Sequence, residues 1–137
     1  MTETAGSAAK IECVDDILTP TRVSFSLTVM SPHPIDELSG YLARDLAARA
    51  HDDYLYGIYK DAFDEPDETD RADQLHVLAI QALDLLDATG VSPSELQHPD
   101  VRVRAFYTFD PGSETIRAEV VRRLARINAT IWVDANS

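Results

Sequence analysis

The sequence predicts an α+β fold, a two-layer sandwich in which a mostly antiparallel or mixed sheet of about four strands carries helices on one face. Three observations point to it. Two segments alternate apolar and polar residues strictly, two others carry helical periodicity, and the strand-like and helix-like segments interleave along the chain. A strand whose second face is polar cannot have helices packed on both sides. That favours an open two-layer arrangement over a doubly wound three-layer fold.

Taken in order, Met1 to Lys10 is small and polar and reads as a disordered tail, leaving residues 11–137 as one domain. Ile11 to Leu18 carries a short apolar pattern broken by Asp15 and Asp16, and reads as an edge strand. In Arg22 to Met30, Val23, Phe25, Leu27 and Val29 fall on one face while Ser24, Ser26 and Thr28 fall on the other, which is a half-buried strand. Ser31-Pro-His-Pro34 ends it and opens a helix through Ala50, with Ile35, Leu38, Leu42 and Leu46 at helical spacing. Asp53 to Lys60 is rich in tyrosine and fits either a second strand or a continuation of that helix. Asp61 to Asp70 holds six acidic residues around Pro66 and reads as an exposed loop.

Asp70 is the expected cap of the longest helix. Leu75, Leu78, Ala79, Ala82, Leu83 and Leu86 form its stripe, and Gly90 its stop. Val77, Ile80 and Leu85 lie outside the stripe, which predicts a helix covered on more than one side. Ser92-Pro-Ser-Glu95 matches a capping box. Val101, Val103, Ala105, Tyr107 and Phe109 make one face of a second clear strand; Arg102, Arg104, Phe106 and Thr108 make the other. Asp110 to Ser113 turns the chain into a helix that points Ile116, Val120, Leu124 and Ile127 inward and stops at Asn128. Ala129 to Val133 closes as a last strand.

A hydrophobic fraction of 45% with 26% charged residues argues for a globular chain rather than a disordered one. No stretch approaches the ~20 apolar residues of a membrane helix. The start lacks the basic and apolar regions of a secretion signal, and the single cysteine, Cys13, permits no intrachain disulfide. The expected location is therefore the cytoplasm. The net charge of −12 is unevenly spread. Residues 1–100 hold six basic and twenty acidic side chains, a balance of −14, whereas residues 101–137 hold six basic and four acidic, a balance of +2. Such a body repels phosphate backbones and anionic membranes and suits a partner with a basic surface, although solubility alone also accounts for it.

No catalytic, metal or cofactor motif is present. The histidines at 33, 51, 76 and 98 lack zinc-site spacing, and the acidic stretch lacks the alternation of a calcium loop. No nucleophile elbow or phosphate-cradling loop occurs, and Asp15 and Asp16 beside Cys13 disfavour a thiolate. These absences make a non-catalytic protein-binding module the expected function, with no cofactor. The candidate interaction residues are Tyr54, Tyr56 and Tyr59 as apolar anchors, and Asp61, Asp64, Glu65, Asp67 and Glu68 as an acidic steering loop. Arg102, Arg104, Phe106 and Trp132 join them if the outward faces of their strands align. Arginine and aromatics dominate interface hot spots, and they also stack and hold single-stranded nucleic acid, so the alternative expectation is a nucleic-acid or small-ligand binding domain that uses the open sheet face. The competing reading puts Phe106 and Trp132 in the core, with the arginines paired to carboxylates. A homodimer covering the second sheet face is a further expectation.

Two stretches resemble a known family. The opening strand running into Pro-Ile-Asp-Glu-Leu, from Val23 to Leu38, and the helix, turn and strand from Ile116 to Asp134 are similar to the bacterial domain-of-unknown-function family 4279. Members often carry a glycine-containing loop and a tryptophan-led strand after the first helix, where Asp53 to Lys60 here offers tyrosines and no tryptophan. The resemblance implies no established activity or site residue. By analogy with similar small bacterial proteins it suggests an immunity or partner protein, such as the acidic inhibitor of a basic toxin nuclease.

Overall fold

The computed structural model describes residues 22–43, 54–110 and 115–135. The expected tail at 1–10, the strand at 11–18, residues 44–50 of the first helix and the turn at 111–113 lie outside the described residues. The elements are β1 (Arg22–Ser31), a 3-10 helix (Asp36–Tyr41), β2 (Tyr54–Asp64), α1 (Glu68–Ala88), α2 (Pro93–Leu96), β3 (Arg102–Asp110), α3 (Ala118–Arg126) and β4 (Thr130–Ala135). The strands form one sheet in the order β2-β1-β3-β4. β1 is antiparallel to both neighbours, while β3 and β4 run parallel and are joined through α3, as a parallel pair requires. The fold is the mixed-sheet α+β sandwich that the patterning predicts. None of the described helices is long and apolar enough to cross a membrane.

The two interior strands set the core. On β1, Val23, Phe25, Leu27 and Val29 are fully buried, and on β3 so are Val103, Ala105, Tyr107 and Phe109. The register places Phe25 opposite Tyr107, and their rings meet edge-on at 4.8 Å. α1 lays Leu75, Ala79, Ala82, Leu83 and Leu86 on this face, and α3 adds Val120 and Leu124. Ion pairs join the helices: Arg123 reaches Asp84 at 3.0 Å and Asp87 at 2.7 Å, and Arg117 pairs with Asp73. Gly90 at φ 84° and Asn128 at φ 55° end α1 and α3 in the left-handed conformation expected of them.

Several local expectations are corrected. Among the described residues after Pro34, Asp36–Tyr41 is a 3-10 helix rather than an α-helix, and Leu42 leaves it to bridge with Tyr56 of β2. Ile35 at its N-cap has no side-chain acceptor to offer, and Ser39 and Gly40 are poor helix formers. The tyrosine segment is strand, and it continues through Asp64, so the acidic connection shrinks to residues 65–67. Asp67, not Asp70, caps α1: its Oδ2 accepts from the Asp70 amide at 2.8 Å. Ser92 caps α2 as its box predicts. Val77 and Leu85 are exposed, so α1 is not covered on a second side there.

Leu83→Ala should cost about 2–5 kcal/mol in urea unfolding, whereas Leu85→Ala on the exposed side should shift stability by less than ~1 kcal/mol. Burial pushes the Tyr107 phenol well above its ordinary value. Its contribution to stability is fully present below the unfolded tyrosine value of about 10 and is lost as pH rises from there through the folded value. Thermal midpoints measured across that alkaline range should fall, and Tyr107→Phe should flatten the decline.

Candidate functional site

The pleat that buries one set of side chains on β1, β3 and β4 presents the other set on the opposite face, where no described helix lies. β1 contributes Ser24, Ser26, Thr28 and Met30; β3 contributes Arg102, Arg104, Phe106 and Thr108. The parallel register of β4 aligns Trp132 with Phe106 and Thr130 with Arg104. The odd residues Ile131 and Val133 therefore take the helix side, and Trp132 takes the open face, 48% exposed. Its ring lies parallel to that of Phe106, with centroids 6.1 Å apart, and the Arg104 guanidinium carbon sits 4.6 Å from the indole centroid. Trp132 is thus both exposed and held.

The rest of the face is polar and cationic. The Ser24 and Thr108 hydroxyls bond across β1 and β3. The Arg102 guanidinium approaches Met30 Sδ at 3.9 Å. On β2, Lys60 pairs in register with Ser26. A β-bulge between Leu27 and Thr28 leaves Gly57 opposite Thr28, and Ser26, Thr28, Gly57 and Lys60 line a groove of about 470 Å³ there. At the far end of β3, a second groove of about 500 Å³ runs between Pro32, Pro99, Asp100 and Arg102. Beside it, His33 and His98 meet edge-on at 5.9 Å. Among the described residues no cluster of three or more His, Cys, Asp or Glu could hold a metal ion.

The acidic candidates gather elsewhere. Asp61 and Asp64 end β2, Glu65 and Asp67 form the connection, and Glu68 and Asp70 open α1, where the helix dipole favours negative charge. The neighbouring negative charges, Asp67 first and then Glu65 and Asp73, raise the Asp70 carboxyl above its ordinary value. A groove of about 350 Å³ beside this corner has Phe63, Val77 and Leu78 for a floor and Asp61, Asp73 and Gln81 at its rim.

The sequence candidates therefore divide into two places. Arg102, Arg104, Phe106 and Trp132 do come together on the open face; Phe106 and Trp132 are not core residues. Asp61, Asp64, Glu65, Asp67 and Glu68 lie at the β2 edge, with two strands between them and Trp132. The tyrosines do not form an exposed anchor. Tyr56 is 2% exposed and its hydroxyl accepts from the Ile35 amide at 2.9 Å, because the bridge with Leu42 closes over it. Tyr54 is half-buried with its ring stacked on Tyr56. Tyr59, also half-buried, donates to Gln81 Oε1 at 3.2 Å. Burial, aided by Asp61, pushes its phenol up. Sequence reasoning missed Lys60, whose only signal was its place in a segment that fitted either strand or helix, and the buried Arg71. The Arg71 guanidinium donates to the Glu65 carbonyl at 2.9 Å and the Pro66 carbonyl at 3.2 Å, fixing the acidic connection from beneath. No family model, curated protein or solved structure matches the chain.

Trp132 is the only tryptophan, so its emission reports on this face alone. It should emit at the long wavelengths of a hydrated indole and be quenched by acrylamide. Arg104→Ala should increase the quenching while costing less than about 1 kcal/mol of stability. Blue, unquenchable emission would show that the indole is covered.

Proposed function

We propose that this chain is a non-catalytic protein-binding module that docks through the open face of its sheet, with Trp132, Phe106 and Arg104 as the anchor. The observation that carries this reading is the exposed indole held in place by a parallel ring and a guanidinium. An ordered aromatic loses little side-chain freedom on binding, so more of its contact energy appears as affinity. Tryptophan and arginine are the residues most often found at the energetic centre of an interface.

The partner class is a protein that is basic overall. Long-range attraction acts on net charge, and this chain carries −12 with its carboxylates concentrated from Asp61 to Asp73. Arg102 and Arg104 act at contact range, where they meet carbonyl or carboxylate groups of the docked surface. Narrowed further, the reading is of a cytoplasmic inhibitor or immunity-type protein for a basic enzyme such as a toxin nuclease. The resemblance to family 4279 supplies no residue to this argument. A second reading, single-stranded nucleic acid on the same face, draws support from Lys60, Arg102 and Arg104 around the two rings, and the acidic body opposes it.

Capture from the native host on immobilised protein, run in parallel with Trp132→Ala, tests the proposal. A partner held through this face should dissociate about 30-fold faster from Trp132→Ala, and its association should slow as salt is raised. A partner retained equally by the variant would place the docking surface elsewhere. A gel shift of single-stranded RNA or DNA at low salt, lost in Trp132→Ala, would replace this reading with the second.

A further inference from the structure

We infer that β4 is the seam of a symmetric dimer, in which a second copy of this chain adds its own β4 antiparallel to the first and continues the sheet across the two copies. This goes beyond the binding role proposed above and does not depend on it.

The two edges of the sheet are built differently. The β2 edge is blunted: Leu42 bridges to Tyr56, the Ala43 amide donates to the Leu55 carbonyl at 2.8 Å, a bulge interrupts the ladder, and Lys60, Asp61 and Asp64 add charge. Charge, bulges and covering chain are the devices that keep edges from pairing. Among the described residues, β4 carries none of them along Thr130 to Val133. Ile131, Trp132 and Val133 are 36%, 48% and 46% exposed, a run of three large apolar side chains on one edge strand. Among the described residues nothing pairs with its outer side.

The strand is complementary to itself in one register. Directly opposed residues of an antiparallel pair share a face. A two-fold axis through Trp132, perpendicular to the sheet, sets Trp132 against the second copy's Trp132, Ile131 against Val133, and Thr130 against Asp134. Indole meets indole on the open face, aliphatic meets aliphatic on the helix side, and a hydroxyl meets a carboxylate. Charge agrees as well. Thr130 is paired on its inner side with Arg104, so the second copy's Asp134 arrives on the cationic part of the face. Moving the axis to Ile131 opposes Trp132 to Thr130, and moving it to Val133 opposes Trp132 to Asp134; either shift keeps aliphatic pairs but loses the indole pair and the hydroxyl–carboxylate pair. The self-match is the reason a second copy, rather than an unrelated strand, is the assigned occupant.

Sedimentation of the full chain at micromolar concentrations should show a dimer. Val133→Lys, at a position already exposed, should keep the circular dichroism of the wild type and weaken the dimer roughly a hundredfold or more. Register is tested with Trp132→Cys in a Cys13→Ser background. Opposed Cα atoms about 4.5–5.5 Å apart allow a disulfide, so mild oxidation should link two chains, while Asp134→Cys in the same background should link poorly. A wild-type monomer, a dimer indifferent to Val133→Lys, or cross-linking that favours position 134 would each overturn the inference. Partner capture through Trp132 would survive the first two results, so the two proposals fail separately.

Discussion

The pleat of two interior strands, β1 and β3, governs this molecule. Val23, Phe25, Leu27 and Val29 on β1 and Val103, Ala105, Tyr107 and Phe109 on β3 are apolar and buried, and the intervening positions, Ser24, Ser26, Thr28, Arg102, Arg104 and Thr108 among them, make up the opposite face. One helical layer satisfies the first set; a second layer would have to desolvate hydroxyls and guanidinium groups without compensation. Among the described residues the helices lie on one side of the sheet, and the other side presents these positions together with Phe106 and Trp132. The position of β4 follows from the same constraint. Its parallel register carries the alternation one strand further, which sends Trp132 outward and Ile131 and Val133 back toward the helices.

How much of this was legible in the sequence depended on whether a local pattern had one meaning. β1 and β3 could be read directly, because strict alternation over nine residues has no helical equivalent. The stops at Gly90 and Asn128 and the Ser92 cap were also legible, since each has a local stereochemical cause. Over the described residues after Pro34, Ile35, Leu38 and Leu42 keep helical spacing, yet Asp36–Tyr41 is a 3-10 helix and Leu42 bridges to β2, a pairing that spacing alone does not show. β2 was obscured by its own bulge, which puts Tyr56, Ile58 and Tyr59 out of step with a period of two. Arg71 carried no signal at all; a buried guanidinium bound to two carbonyls depends on a loop geometry that only the folded chain supplies.

The candidate surface shows the same division. That Arg102, Arg104 and Phe106 share a face follows from parity along one strand. That Trp132 joins them requires the β3–β4 register, a non-local fact. The acidic residues were recognisable as a group, yet their separation from the arginines was not, because it rests on strand order. Acidic corner and cationic face lie at different parts of the sheet, so an overall charge of −12 conceals a local patch of the opposite sign. Net charge and contact chemistry answer different questions about the same protein.

The pairing of β1 with β3 has a consequence for how the chain reaches this state. Met30 and Arg102, the nearest partners along the chain, are 72 residues apart, and Ser24 and Thr108 are 84 apart. During synthesis one edge of the first interior strand therefore stays unpaired while its hairpin mate, the long helix and the short one are all made. Contacts this distant slow folding and prolong the period in which an unfinished ribbon can find the wrong neighbour. Ser24, Ser26 and Thr28 on β1 keep one face of that strand hydratable before its mate is made, as well as after.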